Sequence, residues 1–368
     1  MKKNNKNKTD VQNNGPSCGR LGSVGGQAVI EGVMMKSREH YAIAVRQLDG
    51  NIAVEKFPFK SIREKYKVFK LPILRGISGF IETLKLSFST LTKSTEMLGL
   101  EEEGEPSKFE NWLDKKFGKS IFSFISAVAT VFGIVLSLLL FMYLPALASK
   151  GINAIIEAVS DNKLSHLGFT AIEGVIKIII FITYIGLTAL IPDIKRVYQY
   201  HGAEHKSIFC YESGEELTVE NVKKQIRFHP RCGTSFIFVI LILSIVVMTL
   251  VSEFVIPDAW TEVLWSRVLV KLCLLPLVIG LGYEYIMYAG KHDNRITKIF
   301  SAPGLWMQRI TTREPDDSMM EVAIVSLKTS LPDVFKDYVY ENPVREGTET
   351  EQEENTENAA DEDSTDKE

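Results

Sequence analysis

Four long apolar runs in the 368-residue chain decide what it can fold into. Ser120 to Ser149 carries no charged residue, and roughly 20 apolar residues suffice for a helix to cross the hydrocarbon core of a bilayer. Leu167–Ile191, Ser235–Ile256 and Leu264–Ala289 are the other three. In lipid every backbone N–H and C=O must be satisfied within the segment, so each run is read as a helix. The predicted fold class is mainly α: a multi-pass membrane protein with four transmembrane helices, a small cytoplasmic β unit and amphipathic helices. The second run contains Glu173 and Lys177, whose i,i+4 spacing predicts an ion pair on one helical face. Arg267 and Lys271 begin the fourth run and are expected to snorkel to the interface.

The basic residues orient these helices. Lys115, Lys116 and Lys119 precede the first run, and Lys291, Arg295 and Lys298 follow the fourth. Between the second and third lie Lys195, Arg196, Lys206, Lys223, Lys224, Arg227 and Arg231. The other connections hold only Lys150 and Lys163, and none in Pro257–Val263. By the positive-inside rule both termini and the central 193–234 loop are cytoplasmic in the plasma membrane. No apolar run suited to a signal peptide precedes Ser120.

The remaining chain divides by composition. Residues 1–20 are rich in Lys and Asn and read as a disordered tail that includes Cys18. Residues 21–66 form the β unit: Gly25–Gly26 permits close backbone approach, and two alternating strands are joined at Asp49–Gly50, a two-residue hairpin signal. Residues 67–119 form an amphipathic region. Its stretch 69–98 is too charged to span and is read as an interfacial or bundle-packed helix, followed by a solvated break at 101–106. The membrane region is 120–300. A cytoplasmic segment at 301–335 holds a helix over about Asp317–Ser330, announced by Pro315, Asp316, Asp317 and Ser318. Residues 336–368 form an acidic tail, read as disordered from Arg345 on. That tail supplies most of the formal charge of −4, and no nucleic-acid partner is expected.

Chemistry concentrates in the central loop. Of six histidines, His201 and His205 are four apart, so a helix puts them on one side. With Glu204 they make the H-x-x-E-H order of the inverted zincins. His229 and Cys232 close the same loop and complete a candidate Zn²⁺ set of His201, His205, His229 and Cys232. Glu204 is the candidate general base. Glu284 is a second candidate catalytic carboxylate or metal ligand, with an ion pair to Arg231 or Lys291 as the plainer reading. The cluster can also be read as polar groups that cap helix ends or bind anionic headgroups with Arg231 and Lys206. Asp193, after Pro192 at the end of the second run, is a candidate to cap or to face the same cluster. Gln27, Glu31, Arg75 and Arg313 are assigned to turns and domain docking. The four cysteines form no CxxC pair and are read as reduced.

Several stretches resemble a known family: GGQAVIEGVMM at 25–35, LRGI at 74–77, YHGAEHK at 200–206, FHPRCGTSF at 228–236, Tyr283–Glu284 and the segment Met307–Asp317. Together, in order over about residues 20–335, they look like the DUF1385 (YqhQ-like) family, with Met307 where that family more often has Leu. The resemblance implies a bacterial cell-membrane protein and a metal-dependent enzyme. Two functions follow as expectations. One is a zinc-type hydrolase with a cytoplasm-facing site that acts on a membrane lipid or membrane peptide. The alternative is a non-enzymatic scaffold, transport-related or lipid-interacting protein. No GxxxxGK[ST] loop is present, which leaves ATP-driven pumping unsupported. Self-association into a homo-oligomer is compatible with either. The β unit and 301–335 each have too small a core to stand alone and are expected to pack together, with 69–98, over the His/Glu/Cys cluster.

Overall fold

All four apolar runs are helical in the computed structural model, which describes residues 20, 22–98, 120–160, 165–254, 263–289, 294–340, 342 and 344–347. The first run forms α3 (Ser120–Leu138), a π-helical turn at Leu139–Tyr143, and α4 (Leu144–Ser160). The π turn ends just before Pro145, whose missing N–H and bulky ring disturb a regular helix ladder. The helix nevertheless runs on past Ser149 to Ser160, beyond the expected end. The other three are α5 (His166–Thr188), α8 (Gly233–Phe254) and α9 (Leu264–Ala289). Among the described residues, four stretches are long and apolar enough to cross a membrane: Thr130–Ser160, Leu167–Thr188, Gly233–Ser252 and Trp265–Ala289.

The ion pair expected within the second run is not formed. Glu173 pairs across helices, with Arg267 at 3.1 Å and with Lys271. Arg267 and Lys271 are buried against that carboxylate. A carboxylate in an apolar layer is too costly to leave alone, and two cations on the facing helix satisfy it better than one on its own.

The β unit has four strands where two or three were expected: β1 (Gly25–Val29), β2 (Gly32–Lys36), β3 (His40–Arg46) and β4 (Ile52–Pro58). They pair antiparallel in chain order. The β1–β2 hairpin turns at Ile30–Glu31, with Glu31 at φ 50°. The Arg196 guanidinium grips the Glu31 carboxylate from outside the sheet. The β3–β4 connection is longer than the two-residue turn expected: Gln47 N–H bonds the Asn51 carbonyl at 2.8 Å, and Asp49 and Gly50 lie between. A fifth strand, β5 (Arg345–Glu346), joins parallel to β4. This strand corrects the expectation of disorder from Arg345 on. The expectations for Cys18, the 101–106 break, Lys115, Lys116, Lys119, Lys163, Lys291 and residues 348–368 lie outside the described residues.

Both faces of the sheet are covered, which explains why its apolar residues do not alternate with polar ones. Val29, Met34, Tyr41, Ile43 and Phe57 pack against Leu86 and Met97 of α2 (Leu74–Met97), which follows a short α1 (Ile62–Lys65). Val33, Met35, Ala44 and Val54 pack with α6 (Pro192–Ser213) and α11 (Asp317–Ser330). Helix α11, with the bounds expected, buries Met319, Met320, Val322, Ala323 and Leu327. Helix α2 crosses α9 closely: a Cβ at Gly76 would sit 2.6 Å from Tyr283 Cβ, and one at Gly280 would sit 2.4 Å from Ile73. The β unit, residues 69–98 and the C-terminal helix thus share one packed body, as expected.

The central segment is mostly helix. Gly214 at φ 80° ends α6 in the left-handed conformation that glycine adopts freely. A single-turn α7 (Val219–Lys224) follows. Helix α10 (Arg295–Thr311) is opened by an Asn294 capping box and laid against α8, with Gly304 over Ser235. It runs through residues 300 and 301, so the expected domain boundary there falls inside a helix. Cysteine-accessibility labelling in intact cells tests the orientation. Positions near 155 and 260 should react from outside, and those near 215 and 320 only after permeabilisation. Labelling of 215 from outside would invert the arrangement.

Candidate metal centre

The site is built on α6, where the helical period brings His201, Glu204 and His205 to one face. Cys232 comes to meet them from the residue just before α8. One ligand atom each from His201, His205 and Cys232 lie within 4.8 Å of one another. His201 Nε2 is 3.2 Å from Cys232 Sγ. The two imidazoles are 4.4 Å apart, centroid to centroid.

The backbone sets the orientation of both rings. His201 Nδ1 bonds the Thr311 carbonyl at 2.9 Å, and His205 Nδ1 bonds the Arg227 carbonyl. A carbonyl can only accept, so Nδ1 is the N–H of each ring and Nε2 presents a lone pair to the cluster. Carbonyl-anchored imidazoles of this kind are what metal sites use to fix the tautomer. Two imidazole nitrogens and a thiol form a donor set that could hold a metal ion. Beside it, Glu204 Oε2 is 3.7 Å from His201 Nε2 and 3.9 Å from His205 Nε2. Burial pushes the Glu204 carboxyl up to about 7 against the opposing pull of His201.

Two glycines make the assembly possible. A Cβ on Gly26 would lie 2.6 Å from Glu204 Cγ, so glycine lets β1 pass over the carboxylate without displacing it. A Cβ on Gly202 would lie 2.0 Å from the Arg313 carbonyl oxygen. That approach, tied by Arg313 N–H to the Tyr198 carbonyl at 2.8 Å, is what brings Thr311 to His201.

His229 stands behind the cluster, outside the three-atom set, with its ring 5.5 Å from that of His205. Its Nδ1 accepts the Arg231 N–H at 3.3 Å, and its buried Nε2, 3.8 Å from Glu212, has no hydrogen-bond partner among the described residues. Burial lowers the pKa of His229. Burial works against Glu212, but the His229 imidazole, the Gly22 N–H at 2.8 Å and the Arg231 guanidinium together bring its carboxyl down to about 2.

Glu284 is not with the cluster. It receives Arg75 Nε at 2.7 Å and the Ile73 N–H at 3.2 Å, stabilising a helix start where Ile73 has φ 68°. An ion pair had been expected, but with Arg231 or Lys291. Arg231 is taken by Glu212, and Lys206 by Glu314. Both cations of the headgroup-binding reading therefore have internal partners. Asp193 sits exposed in the first turn of α6, where an acidic side chain suits the helix dipole. Gln27 bonds Ser87 of α2, and Arg313 reaches the Ala189 carbonyl.

Sequence reasoning missed Gln308, which is fully buried in α10. Its amide accepts the His229 N–H at 2.7 Å and donates to the His229 carbonyl at 2.7 Å and to Ser235 Oγ at 2.9 Å. It thereby clamps the chain that delivers Cys232. The available signal was a glutamine on the apolar side of an amphipathic helix.

A model of the family described as a protein of unknown function (DUF1385) matches residues 71–333. The uncharacterized protein YqhQ of Bacillus subtilis (strain 168) is 38% identical over 308 residues, covering 83% of this chain and 92% of that protein. No solved structure matches the chain.

Proposed function

This chain belongs to the DUF1385 family, for which no function is established, and we propose that it is a membrane-embedded, metal-dependent hydrolase with a cytoplasm-facing site. The observation that carries the proposal is the convergence of His201, His205 and Cys232 beside a buried Glu204. When bound, a divalent ion, taken as Zn²⁺ from the donor set, would supply Lewis acidity at a fourth, open position. His201 and His205 hold their lone pairs toward that position through the Thr311 and Arg227 carbonyls. Cys232 contributes the sulfur. Glu204, with a carboxyl near neutral pKa, takes the proton of an attacking water and returns it to the leaving group. An ester, phosphoester or amide is thereby split into an acid and an alcohol or amine.

Cys232 directly precedes a membrane span, which supports a lipid headgroup or a membrane peptide as substrate. The basic residues of 193–234 support the cytoplasmic side. The scaffold reading rests on the shared body of sheet, α2, α6 and α11. Glu204→Gln separates the two. On the hydrolase reading the variant retains its metal, measured by elemental analysis of protein purified without chelator, and fails to complement a deletion strain. Metal-free wild-type protein, or full complementation by Glu204→Gln, would sink it.

A further inference from the structure

The membrane helices contain a second cluster of charges, gathered around Glu173. Thr170, Glu173 and Lys177 lie at i, i+3 and i+7 of α5 and so share one face. All three line a cavity of about 280 Å³ between α5, α8 and α9, together with Lys271 and apolar side chains that include Phe141, Phe181, Ile245 and Met248. Glu173 is the acidic group of that lining, and it is already engaged by Lys271 and Arg267. Lys177 lies one turn from Glu173 and within its electrostatic reach, but Arg267 and Lys271 hold that carboxylate at contact distance, and Thr170, two turns away on the same face, has a buried hydroxyl without a partner among the described residues. Gly174 closes the wall: a Cβ there would meet Ile245 at 2.7 Å.

Lys177 is ten residues into the span that starts at Leu167, a depth of roughly 15 Å at 1.5 Å per residue, near the middle of the hydrocarbon. An ammonium at that depth calls for a counter-charge. A hydrated inorganic anion gains nothing from the apolar lining. An anionic oxygen carried on a hydrocarbon chain satisfies both the ammonium and the cavity wall.

We propose that this cavity is a binding site for an anionic amphiphile, a carboxylate or phosphate headgroup on an apolar chain, held by Lys177 and Thr170. The site shares no residue with the His201–Cys232 cluster and stands whatever that cluster does.

The test uses the full-length protein in phosphatidylcholine nanodiscs. Oleate and phosphatidylglycerol are the two anionic arms, and methyl oleate and inorganic phosphate the controls, with thermal stability and saturable binding as readouts. At least one anionic arm should bind and raise the wild-type midpoint, while both controls leave it unchanged. Lys177→Met should weaken that binding about tenfold or more. Ser244→Phe, which fills the cavity and leaves every charge in place, should abolish it. Equal effects of oleate and methyl oleate on the wild type would overturn the proposal, as would stabilisation by phosphate alone. Undiminished binding by either variant would do the same. The wild-type comparison decides even where a variant fails to fold.

Discussion

His205→Ala is expected to lower the affinity for Zn²⁺ or Co²⁺ by about 100-fold or more. Loss of a second-shell partner alone costs 10–100-fold, and His205 is one of three converging donors. Cys232→Ser should have a comparable effect and should also remove the thiolate-to-Co²⁺ charge-transfer band. His229→Ala provides the contrast. Its ring lies outside the donor set, and its free Nε2 faces Glu212 rather than the cluster. It should cost no more than about tenfold, through loosening of the loop that carries Cys232. Competition titration with a chromophoric chelator measures all three. If His229→Ala proves as damaging as His205→Ala, the donor set is four residues and the position taken as open is filled. If His205→Ala keeps wild-type affinity, the cluster is not a metal site.

The second large effect is on folding. Gly202→Ala places a methyl 2.0 Å from the Arg313 carbonyl oxygen, a backbone atom that cannot swing aside. Either α6 or the 311–315 segment must shift, and the Arg313–Tyr198 hydrogen bond goes with it. Overpacking of this kind costs about 3 kcal/mol at its upper end, a fall of roughly 5–10 °C in thermal midpoint. The same shift pulls the Thr311 carbonyl from His201, so metal affinity should drop in parallel. Gly186→Ala is the matched control. A Cβ there meets nothing within 4 Å, and alanine is the better helix former. Its midpoint should stay within about 2 °C. Equal midpoints for the two variants would show that the α6–Arg313 approach has slack to give.

What the chain's order determines by itself is everything local and periodic. Apolar length, broken by only a few charges, located four membrane helices. An Asp–Asp–Ser start after Pro315 placed α11 at the bounds observed, because caps act within one turn. The i,i+4 spacing put His201 and His205 on one face, because that follows from helix geometry alone. Tertiary structure decided the partners. Glu173 was four residues from Lys177, yet its carboxylate went to α9, since a buried charge takes whichever cations packing brings nearest. Glu284 went to Arg75, 209 residues away, because Gly76 and Gly280 let two helices touch. His229 had the same spacing credentials as Cys232, but the Gln308 clamp and Arg231 turned its ring away from the donor set. Strand β5 was hidden in an acidic segment because two residues carry no period, and only the open edge of β4 gives them a ladder. Local pattern specifies which groups lie on which face of an element. Which of those groups meet is decided by close approaches between elements far apart in the chain, and these depend on single glycines and buried polar side chains that no periodicity marks.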